Sequence, residues 1–136
     1  MKEFSLKIVT PDGIYFDGLA QSLTVRTTTG DMGILADHIN CVAPLGMGMA
    51  TVSTSDGKRY AACIGGMVSV VDGKVTLVPT TFEWSEDIDL ERAKLSKKRA
   101  EEVLSSDHAT DMQILLAQAR LKRALVRKGV ATFHTK

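Results

Sequence analysis

The sequence has little of several features that mark specialised classes of protein. Its two cysteines, Cys41 and Cys63, form no CxxC pair, so a disulfide scaffold is disfavoured and a reducing, cytosolic setting is favoured. The most apolar stretch, 41–50, is broken by one proline and two glycines and is far too short for a membrane span. The 17 basic residues nearly balance the 16 acidic ones, so the net charge does not favour binding to nucleic acid or to an anionic membrane.

Signatures of catalysis and of metal binding are also missing. The sequence contains no GxSxG, HExxH or GxxxxGK[ST] pattern. His38 and Cys41 stand at ligand spacing, but no second pair accompanies them, so a loop histidine beside a structural cysteine is the favoured interpretation. We therefore predict no catalytic residue and no metal site, and the start of the chain shows no apolar core of a signal peptide.

Glycine and proline divide the chain into two modules. Ten of the 11 glycines and all three prolines precede residue 85, and their disappearance indicates long uninterrupted helices beyond it. The first part carries a net charge of −2 and the second of +3. We predict a β-sandwich domain over 1–84 and a helical hairpin over 85–136.

The first module alternates apolar and polar residues with a period of two, as in Phe4, Leu6 and Ile8. Two Asp-Gly pairs, 56–57 and 72–73, separate β-branched runs and predict type I′ hairpin turns. We expect about eight to ten short strands in a small antiparallel sandwich or flattened barrel. The glycine pair 65–66 precedes another strand rather than a helix, which favours a bulge or tight crossing in the sheet.

The second module has the helical period of 3.6. Asp89 is expected to cap a first helix, and a second, over about 111–128, is expected to stop at Gly129. The apolar stripes depend on alanine, which buries roughly 1 kcal/mol or less per residue, so the hairpin is either weakly held and movable or closely packed through small side chains. The four alanines are Ala93, Ala100, Ala117 and Ala124.

Arginines form a stripe on each predicted helix. Arg92 and Arg99 are seven positions apart, and Arg120, Arg123 and Arg127 follow one another at spacings of three and four. If the helices fold back on each other, the two stripes can converge on one concavity that suits a polyphosphate. The alternative is a pair of solvated helix faces with partners one turn away.

Four segments in this order resemble the epsilon subunit of bacterial F-type ATP synthases along the whole chain. They are 4–13 (FSLKIVTPDG), 29–38 (TGDMGILADH), 64–70 (IGGMVSV) and 88–93 (IDLERA). The resemblance implies a non-catalytic rotor subunit, bound to the gamma subunit and the c-ring, in a proton- or sodium-driven synthase on the cytoplasmic side of a bacterial cell membrane. It also implies that the hairpin is an arm that reaches toward the alpha and beta subunits and restrains ATP hydrolysis.

The resemblance further implies no required cofactor but a regulatory ATP site, and it assigns residues by position. The IDxxRA pattern covers Ile88, Asp89, Arg92 and Ala93, and the accompanying acidic and basic positions are Glu83, Arg99, Arg123 and Arg127. The contact with the c-ring or gamma is implied at Asp31, Met32 and His38. The turn at 34–40 lacks the two prolines usual in the family, so the sequence match that assigns His38 to this contact is incomplete.

Three hypotheses stay open on the sequence alone. The chain is either an ATP-sensing rotor subunit or a purely structural rotor adaptor whose arginines are only solvated. An independent small-ligand-binding β-sandwich that dimerises through its helices is the third hypothesis.

Overall fold

The computed structural model describes residues 2–133 and contains eight strands, a 3₁₀ turn and two helices. The strands are β1 (Phe4–Thr10), β2 (Gly13–Ala20), β3 (Ser22–Thr27), β4 (Gly30–Leu35), β5 (Cys41–Pro44), β6 (Met47–Thr54), β7 (Gly57–Val71) and β8 (Lys74–Trp84). The turn Ser85–Asp87 leads to α1 (Leu90–Leu104) and α2 (Asp111–Val130). The prediction of a β-sandwich followed by a two-helix hairpin is confirmed.

The long hairpin of β7 and β8 belongs to both layers of the sandwich. The first half of β7 pairs with β6, which leads on to β3 and β4, and its second half pairs with β5. The start of β8 pairs with β1, and β1 pairs with β2. The pairing of β1 with β8 is parallel, which departs from the purely antiparallel sheet expected from the hairpin signals.

The middle of β7 bends at the glycine pair 65–66. Both residues have positive φ, +68° and +103°, in the region where glycine is favoured. A Cβ on Gly66 would lie 2.1 Å from the carbonyl oxygen of Val78 on β8. The prediction of a tight crossing at this position is confirmed.

The core lies between the two layers and is built from residues of the strand region, 4–84. Alternate side chains point inward, as the fully buried Leu6, Ile8, Leu23 and Val25 show. Phe82 packs edge-on against Trp84, with ring centroids 5.0 Å apart. No helical residue belongs to this core cluster in the part of the chain that the structure describes.

Three hairpins begin with a threonine whose hydroxyl organises the turn. Thr10, Thr27 and Thr54 each accept a hydrogen bond on Oγ1 from the amide two residues later, at 3.1–3.3 Å. A glycine with φ between +126° and +133° follows each turn. This local bond satisfies a backbone donor that the tight turn leaves free.

The type I′ prediction is therefore wrong for one Asp-Gly pair and holds for the other. Asp72 and Gly73 have φ of +49° and +80°, as a type I′ turn requires. At the other pair only Gly57 has positive φ, because the Thr54 hydroxyl binds Asp56 N and fixes a different turn.

Both helices have identifiable caps. Asp89 accepts a hydrogen bond from the Arg92 amide at 3.0 Å, so its predicted capping role is confirmed. The second helix begins with a capping box in which Thr110 and Gln113 bond each other's backbone amides. Gly129 does not stop this helix, contrary to prediction. Val130 and Ala131, which follow Gly129, are buried. Their burial favours continuation of the helix to Val130 over a stop at the glycine.

The two cysteines differ in surroundings, which leads to a prediction about their reactivity. Burial in the core raises the pKa of the Cys63 thiol to about 12, whereas Cys41 is half-buried at the edge of the sandwich. Because the thiolate is the nucleophile, the buried Cys63 thiol stays almost entirely in its unreactive protonated form at pH 8.

We expect an aromatic disulfide reagent at pH 8 to modify Cys41 rapidly and Cys63 only after denaturant is added. Counting released chromophore with and without urea measures this difference. Cys41→Ser is the control and should leave almost no fast phase. Two thiols reacting at one rate in the native protein would contradict the assignment.

Candidate functional site

The end of β8 and the start of α1 form a charged pocket where the two modules meet. This joint pocket has a volume of about 360 Å³, and its charged members are Glu83, Asp87, Asp89, Arg92 and Arg127. Ala93, Ser96 and Ala124 complete its lining. The small side chains of Ala93 and Ala124 are buried and bring the two helices close together beside the charges.

An ion pair joins the modules across the joint pocket. Arg127 Nε on α2 donates a hydrogen bond to Glu83 Oε1 on β8 over 2.6 Å, and both side chains are about two-thirds buried. A charge-assisted bond at this depth is stronger than a surface ion pair because fewer waters compete for it. The contact therefore holds the C-terminal half of α2 against the sandwich.

Aromatic and cationic contacts support the same arrangement. Tyr60 on β7 packs against Phe133 beyond α2, with ring centroids 5.2 Å apart. The Arg59 guanidinium stacks 3.7 Å from the centroid of the Trp84 ring and donates a hydrogen bond to Glu86 over 2.7 Å. These contacts fix both sides of the turn from which the hairpin departs.

The Glu86 carboxyl stays charged at neutral pH. Burial by itself raises its pKa, but the hydrogen bond from Arg59, the bond from its own backbone amide, the Arg59 charge and the Ser85 hydroxyl together lower the pKa below the ordinary value. Because the pKa of Glu86 is lower in the folded protein than in the unfolded chain, its ionised carboxyl stabilises the fold at pH values above the unfolded-state pKa. This stabilisation is lost as the pH falls through the folded-state pKa.

A second, larger cavity lies between the two helices. This hairpin groove has a volume of about 720 Å³ and is lined by three arginines, Arg92, Arg99 and Arg120, with the apolar side chains of Leu95, Val103 and Leu116 beside them. It shares Arg92 and Ser96 with the joint pocket, so the two cavities adjoin.

A third cavity separates α2 from the bend of the sandwich. Its volume is about 450 Å³, and Arg123, Arg127 and Lys122 face Leu45, Met47 and Ile64 across it. The arginines of α2 are thus divided: Arg120 faces α1, whereas Arg123 faces the sandwich. The five arginines, which spacing alone allowed to converge on one concavity, are therefore divided among adjoining cavities.

The structure brings most of the predicted nucleotide residues together. Five of the eight line the joint pocket: Glu83, Asp89, Arg92, Ala93 and Arg127. Arg99 lies in the hairpin groove and Arg123 in the cavity beneath α2. Ile88 is half-buried in the turn before α1 and lines none of the three. The residues assigned from the family resemblance included neither Asp87 nor Arg120, although spacing had placed Arg120 on one of the two arginine stripes.

The predicted partner-contact residues lie on β4 and in the turn that follows it. Asp31 on β4 is exposed and accepts a hydrogen bond from Arg26, and Met32 packs partly against the core. His38 Nδ1 lies 2.8 Å from the Ile39 carbonyl oxygen and 3.9 Å from Cys41 Sγ.

Exposed apolar side chains lie near His38 in the chain and were not among the predicted residues. Leu35, Ile39 and Val42 are 55%, 77% and 64% exposed. Exposed apolar side chains that form one patch are typical of an interaction surface. The sequence indicates them through the apolar residues that alternate with polar ones over 34–42.

Neither a membrane-spanning helix nor a metal-binding cluster occurs in the described chain. Across residues 2–133, no helix has both the length and the apolar character needed to cross a bilayer. Over the same range, no group of three or more histidine, cysteine, aspartate or glutamate side chains is arranged to hold a metal ion. His134 lies outside the described residues.

A sandwich whose joint carries charged cavities beneath a helical hairpin defines a two-module architecture, and comparisons with known proteins identify its family. Residues 3–85 match the model "ATP synthase, Delta/Epsilon chain, beta-sandwich domain", and residues 86–131 match "ATP synthase, Delta/Epsilon chain, long alpha-helix domain". The chain belongs to the ATP synthase delta/epsilon chain family. The resemblance inferred from the sequence is confirmed, and with it the prediction of an accessory, non-catalytic subunit.

Curated relatives match over nearly their full length. The chain is 39% identical to the ATP synthase epsilon chain of Bacillus pumilus over 131 residues, which covers 96% of this chain and 98% of that one. It is 40% identical to the epsilon chain of Bacillus licheniformis over 131 residues, with coverage of 96% and 99%.

Two solved structures share the fold. A chain in the cryo-EM structure of Euglena gracilis mitochondrial ATP synthase (OSCP/F1/c-ring, rotational state 1) matches with a TM-score of 0.83 at 24% identity, over 97% of this chain and 82% of that one. A chain in the central stalk and c-ring structure of the Tetrahymena thermophila mitochondrial enzyme matches with a TM-score of 0.68 at 16% identity, over 96% and 97%.

Proposed function

We propose that this chain is the epsilon subunit of a bacterial F-type ATP synthase rotor and that its hairpin is an arm held closed by ATP. The sandwich couples the gamma subunit to the c-ring, and the arm restrains hydrolysis by the alpha and beta subunits when it opens. The observation that carries the proposal is the continuity of an acidic joint pocket with an arginine-lined groove through Arg92.

The acidic side of the joint pocket suits the nucleobase. The exocyclic amine of adenine is a hydrogen-bond donor, and the carboxylates of Glu83, Asp87 and Asp89 are acceptors. One oxygen of Asp89 caps α1, which leaves its second oxygen for a ligand. Glu83 also bonds Arg127, so a base at this position contacts groups that already join the modules.

The hairpin groove suits the phosphates. Arg92 belongs to both cavities, and Arg99 lies two helical turns farther along the groove. Guanidinium groups remain charged and bind phosphate oxygens bidentately. A nucleotide with its base at the carboxylates and its phosphates in the groove would contact both helices and the end of β8.

Such a ligand would stabilise the closed arm by mass action. A ligand that binds only the closed form adds RT ln(1 + [ATP]/Kd), about 2.7 kcal/mol at one hundred times Kd. The helices are held together mainly by Ala93, Ala100, Ala117 and Ala124, whose burial contributes little area. A contribution of a few kcal/mol is therefore enough to shift the arm between two positions.

The coupling role rests on β4 and on the turn that follows it. Asp31 and Met32 lie on β4, and His38 follows that strand beside the exposed apolar side chains of Leu35 and Ile39. Apolar surface of this kind is buried when a subunit is assembled. We assign the segment 31–39 to the c-ring and gamma contact, on the cytoplasmic side of the bacterial membrane.

One observation favours the structural adaptor as the second candidate. Arg127 already has an internal partner in Glu83, so part of the predicted nucleotide site is satisfied without a ligand. In that case the joint is a fixed ion pair. The independent dimerising sandwich has no such support, because family membership extends over both modules.

Calorimetric titration of the isolated chain with ATP tests the proposal. We expect saturable heat for the wild type and a loss of about 100-fold or more in affinity for Arg92→Ala, because at least two charge-assisted hydrogen bonds of about 1.5–3 kcal/mol each disappear.

Lys98→Ala is the matched control, since it removes an exposed cation of the same helix that lines none of the three cavities. Its affinity should equal that of the wild type. Absence of heat at millimolar ATP would refute the sensor and leave the rotor adaptor as the function.

A further inference from the structure

A reciprocal side-chain bridge joins the residue before β5 to the turn between β7 and β8. Asn40 Nδ2 donates a hydrogen bond to Asp72 Oδ1 over 3.2 Å, and Asn40 Oδ1 accepts one from the Asp72 backbone amide over 2.8 Å. The two residues are 32 positions apart in the chain. The Asn40–Asp72 bridge therefore ties two separate surface turns together.

The bridge lies where the backbone pairing of β5 with β7 ends. The last backbone pair on that side joins Cys41 to Val70, and Asn40 directly precedes β5. Asp72 directly follows β7 and opens the type I′ turn with φ of +49°. Since the internal hydrogen bond of a β-turn joins its outer two residues, the Asp72 amide needs a partner from elsewhere, and Asn40 supplies it.

The segment 36–40 has few other restraints. No proline restricts its backbone, and it belongs to no strand. The Asp37 carboxylate pairs with Lys2, but both side chains are at least 70% exposed. Water screens an ion pair of this kind, so it contributes little to the order of the segment.

The bridge fixes the far end of this segment, next to a side chain suited to a partner. Ile39 directly precedes Asn40 and is 77% exposed. At the near end, the His38 amide donates a hydrogen bond to the Leu35 carbonyl oxygen over 3.3 Å. Ile39 and His38 are thus presented by a turn that is held at both ends.

We propose that Asn40 is a positioning residue for the contact of this chain with the rotor formed by gamma and the c-ring. Its bridge to Asp72 holds Ile39 and His38 in the conformation that the rotor binds, and Asn40 itself needs no contact with a partner. A turn that is already ordered loses less conformational freedom on binding, so affinity rises without a new contact. This inference rests on the coupling contact proposed for the segment 31–39.

Exchange of the two polar groups tests the bridge, and the double exchange leaves the net charge of the chain unchanged. Asn40→Asp alone places a second carboxylate against that of Asp72, and the two like charges repel. Adding Asp72→Asn gives this second carboxylate two donors, one from the backbone amide and one from the new side-chain amide. The double variant therefore regains both hydrogen bonds, and asparagine tolerates the positive φ of this position as aspartate does.

Binding of each full-length chain to a synthase depleted of this subunit measures the effect. We expect Asn40→Asp to lose about three- to tenfold in affinity, and Asn40→Asp combined with Asp72→Asn to return to within about twofold of the wild type. Thr54→Ala is the matched control, because it removes the two side-chain hydrogen bonds that organise the turn between β6 and β7. Its affinity should equal that of the wild type, which distinguishes a general loosening of the sandwich from loss of the bridge.

Amide hydrogen exchange in the isolated chain reports the bridge itself. Asn40→Ala removes the acceptor of the Asp72 amide, which should then exchange at least about tenfold faster than in the wild type. Equal exchange rates would show that the bridge is not formed in solution and would overturn the inference. A wild-type affinity for Asn40→Asp, or a loss that Asp72→Asn does not restore, would overturn it as well.

Ile39→Ser separates failure of this inference from failure of the proposed coupling contact. The substitution removes the exposed apolar side chain and leaves both groups of the bridge in place. If Ile39→Ser binds as tightly as the wild type, the proposed contact fails and the role of Asn40 fails with it. If Ile39→Ser weakens binding whereas Asn40→Asp does not, the contact stands and only the assignment of Asn40 is wrong.

Discussion

Gly66→Ala is expected to destabilise the sandwich by at least about 3 kcal/mol, the largest effect of any single substitution considered for this chain. The residue has φ of +103°, where a Cβ is strained by about 1–3 kcal/mol. The new Cβ would also lie 2.1 Å from the Val78 carbonyl oxygen and 2.6 Å from Pro79 Cα. Both are backbone atoms of the paired strand, so relief requires β7 and β8 to separate.

Urea unfolding followed by the fluorescence of Trp84 measures this loss. Trp84 is the only tryptophan, is 5% exposed and packs in the core on β8, so its emission reports the sandwich itself. We expect a lower midpoint with an unchanged slope, since the surface exposed on unfolding stays the same.

Two other glycines provide graded controls. Gly73 has φ of +80° but no atom within 4 Å of its would-be Cβ, so alanine there should cost only the backbone strain. Gly33 has neither a positive φ nor a close neighbour, and its substitution should change stability by less than about 1 kcal/mol in either direction. If Gly66→Ala and Gly33→Ala unfold at the same midpoint, the tight crossing does not constrain the fold.

The elements of this fold were predictable where a local period decided them. Alternation specified β1 and β3, and Asp89 specified the start of α1. The parallel pairing of β1 with β8 was not predictable, since it joins strands at opposite ends of the sandwich sequence. The Thr54 turn was missed because a side-chain hydroxyl, rather than the Asp-Gly pair, selects the geometry.

The candidate site shows the same limit. Helical spacing placed Arg92 and Arg99 on one face of α1, as the groove requires. Spacing on α2 could not separate Arg120 from Arg123, because residues three apart lie close on a helix and only the position of the sandwich decides which cavity each one lines. The Arg127–Glu83 contact spans 44 positions and depends on the same docking.

Removing residues 88–136 is expected to leave a folded sandwich. Every side chain of the core cluster comes from the strand region, and the helices bury mainly small side chains. At the joint, the truncation chiefly eliminates the Arg127–Glu83 ion pair and the packing of Tyr60 against Phe133. Trp84 fluorescence should therefore remain that of a buried indole, with a modest decrease in the urea midpoint.

In a reconstituted synthase, the same truncation is expected to raise ATP hydrolysis several-fold at low ATP. Under that condition the intact arm opens, and the net charge of +3 on residues 85–136 favours binding to an acidic surface on the catalytic subunits. At high ATP the two proteins should differ less, because the nucleotide already holds the intact arm closed. Full-length Lys98→Ala is the control and should match the wild type at both concentrations. A truncated protein that assembles normally and leaves hydrolysis unchanged at both ATP concentrations would rule out an inhibitory arm, because removing the arm would then release no restraint.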